Sequence, residues 1–445
     1  MASAAEQLAA NLNFSAFAKA EELKKRIWFT LGALIVYRLC TYVPLPGIDP
    51  VEMARFFEQF QQGIGGMLNV FAGGALERMS IVALNIMPYI SASIIMQLLA
   101  SMSPELAKLK KEGEAGRKKI NQYTRYGTVL LTILQGYGIA VGLEGASGSL
   151  VLDPGLFFRL TTVVSLVGGT MFLMWLGEQI TARGVGNGIS LIIFAGIVAE
   201  LPAALGRAFK LGETGQLSTF VLLTLIALVA GLIFVIVFVE RAQRRIIIQY
   251  PKRQMGNRMF QGDSSHLPMK LNAAGVIPPI FASSILLMPL TVAGFTAQGG
   301  PEWLTTVTSL LGQGQPLYIA LYASLIIFFA FFYTSTVAFV PEDTAENLKK
   351  YGGFIPGYRP GTRTAEYLEY VSKRLTTVGS IYLAIVCIIP ELLISQYAIP
   401  FYLGGTSLLI VVNVSMDTVA QVHSHLMSHQ YEGLIKKAKL RGSRR

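Results

Sequence analysis

IGGMLNVFAGGALERMSIVALNIMPYISASIIMQLL, residues 64–99, decides how the rest of the chain is read. Its second half, Ile81–Leu99, is apolar and long enough to cross a bilayer, which takes about 20 such residues. Its first half reads as a short amphipathic helix over Met67–Phe71, broken at Gly73-Gly74, with a charged turn at Glu77-Arg78. A polar-spotted half-helix in front of a spanning helix rarely faces lipid. Non-helical backbone at membrane depth survives only inside protein or along a water-filled cavity. The segment is therefore expected to occupy a cavity, and the rest of the chain to build it.

Composition agrees with a membrane setting. Charged residues make up 14% of the 445 residues and the mean hydropathy is +0.51. Soluble domains carry about 25% charge, so a set of soluble domains is excluded. The net charge of +11 is better explained by loop topology than by nucleic acid. Cys40 and Cys387 both sit in apolar runs, which does not indicate a disulfide framework. Residues 1–26 lack the apolar core of a cleavable signal and read as a surface-lying amphipathic segment, with Leu8, Leu12, Phe14 and Phe17 on one side.

Ten spans are expected, at 27–45, 81–101, 126–143, 160–180, 189–206, 217–239, 273–293, 316–340, 376–394 and 405–426. Pro202 and the prolines at 278, 279 and 289 make the fifth and seventh the least regular. With the N-terminus inside, 31 Lys and Arg fall on that side. Only Arg55, Arg78, Arg159, Arg207 and Lys210 fall on the other, and Arg38 lies within the first span. That asymmetry places both termini in the cytoplasm. Segments 240–272 and 341–375 are long, basic and rich in aromatic and turn residues, as docking loops for an acidic or RNA-rich partner would be. Within the first, Ile246-Ile247-Ile248 reads as a strand beside a turn at Pro251. Charges next to the spans are attributed to topology and to anionic lipid. Arg359, between Gly357 and Pro360, is assigned to docking.

The chain also repeats itself. Ile86–Ser93 (IMPYISAS) aligns with Val276–Ser283 (VIPPIFAS) at an offset of 190 residues, and Gly188–Ile193 (GISLII) echoes Gly405–Ile410 (GTSLLI). The members of each pair enter the membrane from opposite sides, so the fold class expected is all-α, with ten spans in two inverted five-helix halves, 27–206 and 207–426, followed by a basic tail, 427–445. Inverted repeats place the functional site between the halves, on discontinuous helices near the midplane. There the chain offers Ile86, Ile90, Ile189, Ile193, Ile280 and Ile410, none of them ionisable. A ring of branched aliphatics gates by excluding water and closing around what passes.

Five runs carry a resemblance that covers nearly the whole chain in order. They are GGALERMSIVALNIMPYISASIIMQLL, KKEGEAGRKKINQYTRYGT, TMFLMWLGEQITARGVGNGIS, AGVIPPIFASSI and GYRPGTRTAEYL. The chain resembles the bacterial SecY family, channel subunits of the Sec protein translocon. The resemblance implies an hourglass pore with a plug helix and a lateral gate, in the cytoplasmic membrane. It implies a plug at about 65–79, with Gly65, Gly66, Met67, Leu68, Asn69, Phe71, Gly73, Gly74, Leu76 and Met79. It implies that the six isoleucines form the pore ring. The gate it implies has span 2 with span 3 on one side and spans 7 and 8 on the other, with Gln97 and Asn272 as stabilising positions. Ser91, Ser93, Phe281 and Ser283 are expected near the facing surfaces of that gate. Arg359 and Arg258 match basic positions of the partner-binding loops, although here Asn257-Arg258 stands where the family often has two adjacent basic residues. The implied partners are the small SecE and SecG subunits, the SecA motor, the ribosome, signal sequences and nascent preproteins, with ribosomal RNA the sole nucleic acid contacted.

Two rival classes were weighed. A secondary transporter needs a buried ionic site, for which Glu178, Glu200, Glu391 and Asp417 are candidates, but all lie near span ends where solvation is expected. An intramembrane metalloenzyme would draw on His423, His425 and His429, which lack the accompanying glutamate. GEAGRKK lacks Walker spacing, so energy must come from a partner or the membrane potential. A non-enzymatic channel without cofactor or metal is expected.

Overall fold

The computed structural model describes residues 21–60, 64–145, 150–214, 219–250, 253–255, 258–260, 264–296, 315–397 and 404–442. In the first half α1 (Glu21–Cys40), α2 (Pro50–Phe60) and α3 (Ile64–Ala72) precede α4 (Met87–Met102) and α5 (Pro104–Lys111). Then come α6 (Glu114–Gly145), α7 (Leu156–Arg183) and α8 (Gly188–Glu213). The second half begins with α9 (Thr219–Arg241) and the strands β1 (Gln243–Gln249), β2 (Arg253–Met255), β3 (Arg258–Phe260) and β4 (Ser264–Lys270). It ends with α10 (Ile277–Thr296), α11 (Pro316–Tyr333), α12 (Pro341–Lys350), α13 (Thr362–Tyr397) and α14 (Gly405–Gly442).

Helices stand at all ten expected places. Among the described residues seven are long and apolar enough to cross a membrane alone, or eight if α4 and α5, bent by 105° at their junction, count as one. Helix ends differ from the hydropathy reading. The second span starts at Met87 rather than Ile81, because residues 73–86 form turns. Gly73, Gly74, Met79 and Asn85 all take positive φ there, and Pro88 starts the helix in its first turn. The first span ends at Cys40, and the chain beyond it forms a bridge between Pro44 and Ser80. Pro278 and Pro279 occupy the first turn of α10, where no intrahelical bond is lost, so they start this helix instead of kinking it. Pro202 lies inside the continuous α8. Side chains from 287 to 296, and therefore Pro289, lie outside the described set, as does Pro251.

The duplication reappears in the packing. A Cβ on Gly169 of α7 would strike the Ile81 carbonyl just ahead of α4. One on Gly379 of α13 would meet the Leu271 carbonyl, 2.7 Å away, just ahead of α10. Ile81 and Leu271 are separated by the repeat offset. Gly188 at the head of α8 lies against the Gly177 carbonyl of α7, and Gly405 at the head of α14 against the Val386 carbonyl of α13. Asn85 (φ 49°) and Gly275 (φ 62°), also one offset apart, are the left-handed residues preceding α4 and α10. Both halves thus break and restart their helices by the same steric device.

Each half has its own core. The first gathers Tyr37, Phe57, Leu166, Leu173 and Ile192, and the second Ile236, Leu286, Ile326, Leu383 and Leu409. Helix α10 joins them, since Phe281 is buried in the first core and Ala282 in the second. A small third core sits at the basic end of the bundle. Ile246 and Ile248 of β1 alternate inward as a half-buried strand should, while Ile247 is exposed. Ile246 packs there with Met269, Ile355, Leu368 and Val371. Strand β1 pairs antiparallel with β4, and Gln249 exchanges both backbone hydrogen bonds with Phe354. The described parts of the two basic loops form one folded unit.

Candidate functional site: a sealed apolar constriction

The isoleucines of the repeat converge. Ile86 and Ile90 from the head of α4, Ile193 from α8, Ile280 from α10 and Ile410 from α14 line one small cavity with Met87, Ser283, Asn85 and Phe71. Its volume is about 10 Å³, at the limit of what one water occupies, and a water there would need two to four polar partners. The constriction is narrowly closed. Ile189 lies outside the lining, packed against Gly177 of α7 one turn away.

Helix α3 closes the constriction from one side, with Phe71 as its contribution to the wall. Polar groups hold it there. Asn85 Nδ2 donates to the Phe71 carbonyl at 2.6 Å and Arg38 Nη1 to the Gly73 carbonyl at 2.7 Å. Asn69 receives the Glu77 backbone N–H at 3.0 Å and donates to the Glu77 carboxylate at 3.2 Å, folding the turn back on its helix. Gly73 and Gly74 let the chain approach α8: a Cβ on Gly73 would lie 2.7 Å from the Gly196 Cα, and one on Gly74 would strike the Glu200 carboxylate. Gly66, Asn69, Phe71, Leu76 and Met79 are buried, while the side chains of Met67 and Leu68, and Gly65 beyond its backbone, lie outside the described set. The turns satisfy their backbone through Ile81 N–H to the Val43 carbonyl and Leu45 N–H to the Met79 carbonyl, as non-helical backbone at membrane depth requires.

Comparison with known proteins decides what this constriction belongs to. The family model described as SecY matches residues 80–419. The protein translocase subunit SecY of Escherichia coli K12 is 57% identical over 424 residues, covering 95% of this chain and 96% of that one. The chain belongs to the SecY family. Its fold is shared by a solved SecY channel whose plug domain is described as stabilising the closed state and maintaining a membrane seal (TM-score 0.60, 17% identity, 91% and 92% of the two chains). It is shared also by canine Sec61 in a ribosome–channel complex from the endoplasmic reticulum (TM-score 0.58, 16% identity, 91% and 92%). As a SecY-family member the chain is the subunit of a protein-conducting channel and not a catalytic enzyme.

The acidic residues weighed for a transporter fit that identity. Glu178 forms a forked pair with Arg125, at 2.6 and 2.8 Å, joining α7 to α6. Asp417 is exposed. Glu200 is not solvated at a span end as expected: it is half-buried against the turn at Gly73-Gly74, within electrostatic reach of Arg78, Arg38 and Glu77, because α8 runs past the glycine pair there. Glu391 is buried in α13. Of the histidines, the His429 side chain lies outside the described set, and among the described residues no group of three His, Cys, Asp or Glu could hold a metal.

In this SecY-family chain α10 packs on α4, α6 and α11. Ser283 faces the cavity, while Phe281 meets Phe329 and Tyr333 of α11 edge-on at 5.7 and 6.3 Å. Ser91 is buried, Ala92 points at Gly127 of α6, and Ser93 accepts from Gln97 Nε2 within α4. No hydrogen bond joins Gln97 to Asn272 among the described residues. Asn272 instead donates to buried Glu240 at the end of α9 at 2.6 Å and exchanges two hydrogen bonds with Gly275, with Asn413 of α14 also bonding Glu240. Sequence reading missed Glu240, Asn413, Asn85, Tyr37 and Arg38. A glutamate ending an otherwise apolar span was the one available signal for the first. The clasp should be worth about 1.5–3 kcal/mol, as a hydrogen bond to a charged group. Glu240→Ala is expected to lose that much stability in denaturant or thermal unfolding of the purified channel, and Glu240→Gln markedly less.

At the basic end Arg359 is exposed on the turn ahead of α13, its carbonyl held by Thr364 Oγ1 at 2.9 Å. It lines an open cleft with Tyr358, Arg363, Tyr367 and Tyr370, in which Tyr358 and Tyr367 stack at 4.2 Å. Arg258 belongs to the β2–β3 hairpin, paired with Met255, and its side chain lies outside the described set.

Proposed function

We propose that this chain passes unfolded preproteins across a bacterial cytoplasmic membrane and releases apolar segments sideways between α4/α6 and α10/α11, with both termini cytoplasmic. The observation that supports this reading is the narrow isoleucine constriction walled by Phe71 of a short helix that hydrogen bonds pin at its C-terminal end. A carrier would need convergent polar groups at that point. Branched aliphatics instead yield to any side chain and reseal. In this reading 65–79 is the plug and the isoleucines, Ile189 included, form the ring. The halves 27–206 and 207–426 part along α10, helped by Ser91, Ser93, Gln97, Asn272, Phe281 and Ser283. Residues 1–26 lie on the membrane surface. The folded unit of 240–272 with 341–375 docks the SecA motor and the ribosome through Arg258 and Arg359, the tail 427–445 stays in the cytoplasm, and the small SecE and SecG subunits and anionic lipids complete the complex. The ribosome-bound Sec61 neighbour and the 31 inward Lys and Arg support that assignment.

Reconstitution tests it. The chain purified with its small membrane partners should import preprotein into vesicles when a motor and ATP are added. Arg359→Glu turns a forked cation into an anion, so a carboxylate or phosphate contact becomes repulsive. Motor-driven import should fall to background while the channel remains inserted and assembled. Import at the normal rate would reduce Arg359 to a topology charge.

A further inference from the structure

Apart from the constriction, a groove of about 1260 Å³ opens at the basic end of α11, between α12 and the first turns of α13. Its floor is aromatic: Phe328, Phe331 and Phe332 on α11, and Phe339 after the five-residue π-helical stretch Thr334–Ala338. Phe328 and Phe331 are exposed on a helix that crosses the membrane. The rim, where α11 ends, is charged and mixed, with Glu342, Glu346, Glu366 and Glu369 against Lys349 and Lys373. An occupant must be apolar at one end and carry both charges at the other.

We propose that this groove binds a phospholipid with an ethanolamine headgroup from the leaflet on the basic side. The acyl chains lie on the phenylalanines, the ammonium donates to the carboxylates, and the phosphate sits by a lysine. Charge complementarity selects this occupant. The carboxylates of the rim are balanced by Lys349 and Lys373 and by the adjoining Lys350 and Arg363, and a rim of both signs suits a zwitterionic headgroup better than one bearing only negative charge. A primary ammonium has three N–H donors for carboxylates, and a choline has none. The rim can receive it without breaking a strong interaction. Glu346, Glu366 and Glu369 make exposed pairs with Lys350, Arg363 and Lys373 at 3.1, 3.6 and 2.7 Å, of a kind worth little. Glu342 and Lys349 take part in no ion pair among the described residues.

The test is native mass spectrometry of the full channel complex in detergent, offered equal amounts of phosphatidylethanolamine, phosphatidylcholine and phosphatidylglycerol of one acyl composition. One phosphatidylethanolamine should be retained, by about tenfold over either competitor. Glu342→Gln with Glu369→Gln should reduce its retention to the phosphatidylcholine level. A photoreactive phosphatidylethanolamine should label peptides of α11 and α13. Equal retention of the three lipids by the unsubstituted complex, or a preference for phosphatidylglycerol, would overturn the proposal whether or not the variant folds. So would a preference that survives the double substitution, or a co-purified protein crosslinked in the groove in place of lipid.

Discussion

Arg38→Ala combined with Asn85→Ala raises the resting ion conductance of purified channels in planar bilayers by about a hundredfold. Helix α3, the proposed plug, is pinned at its C-terminal end by two donors, Arg38 to the Gly73 carbonyl and Asn85 to the Phe71 carbonyl. A charge-assisted hydrogen bond contributes about 1.5–3 kcal/mol and a neutral one about 1. Losing both removes about 2.5–4 kcal/mol, and every 1.4 kcal/mol is tenfold in population. While the displaced plug remains a minor state, conductance rises in that proportion. Displacement also strips Phe71 from the wall of the ring, so the isoleucines lose a partner. Deleting residues 65–79 sets the upper bound. If conductance is unchanged in both variants, the ring alone is the seal and the helix is structural.

A disulfide across α4 and α10 is expected to stop export and membrane insertion together until reductant is added. A segment in the pore can leave sideways only if these helices part. At a helix centre Leu, Ile, Phe or Val favours lipid by about 0.3–0.6 kcal/mol each and Lys, Arg or Asp opposes it by about 2.5–3.5, so a run of about 20 apolar residues gains enough to leave and a secretory segment does not. Signal sequences intercalating at the same seam would make export depend on it too. Met87, Ile90 and Ser283 line one cavity, so pairs drawn from Met87, Ile90 and Ser91 against Ile280 and Ser283 are the ones to scan. Bridging needs Cα atoms about 4.4–6.8 Å apart. Cys40 and Cys387 are free thiols, the latter buried, and both become Ser in the background. Pairs that crosslink fully yet leave export and insertion untouched would show the seam to be static packing.

The sequence by itself determined the membrane setting, the positions of the spans, the short helix and glycine break ahead of α4, the strand at Ile246–Ile248, and five isoleucines that line one small cavity. Each is written in local signals: apolar run length, period-two burial, turn residues, and a duplication that two short stretches carry. The start of α4 lies six residues beyond the expected one, because apolar content cannot distinguish a buried turn from a helix; only the positive φ of Met79 and Asn85, supported by contacts to the chain after α1 and to α3, separates them. Tertiary structure alone decided what holds these pieces. Glu200 beside Gly74 and Glu240 beneath Asn272 and Asn413 acquire their partners from segments more than 30 residues away, as does Phe354 on Gln249. Such pairings depend on which helix faces which, and that is settled by close backbone approaches such as Gly169 on Ile81 and Gly379 on Leu271. A glycine in the sequence does not say what it lies against; the packed bundle does.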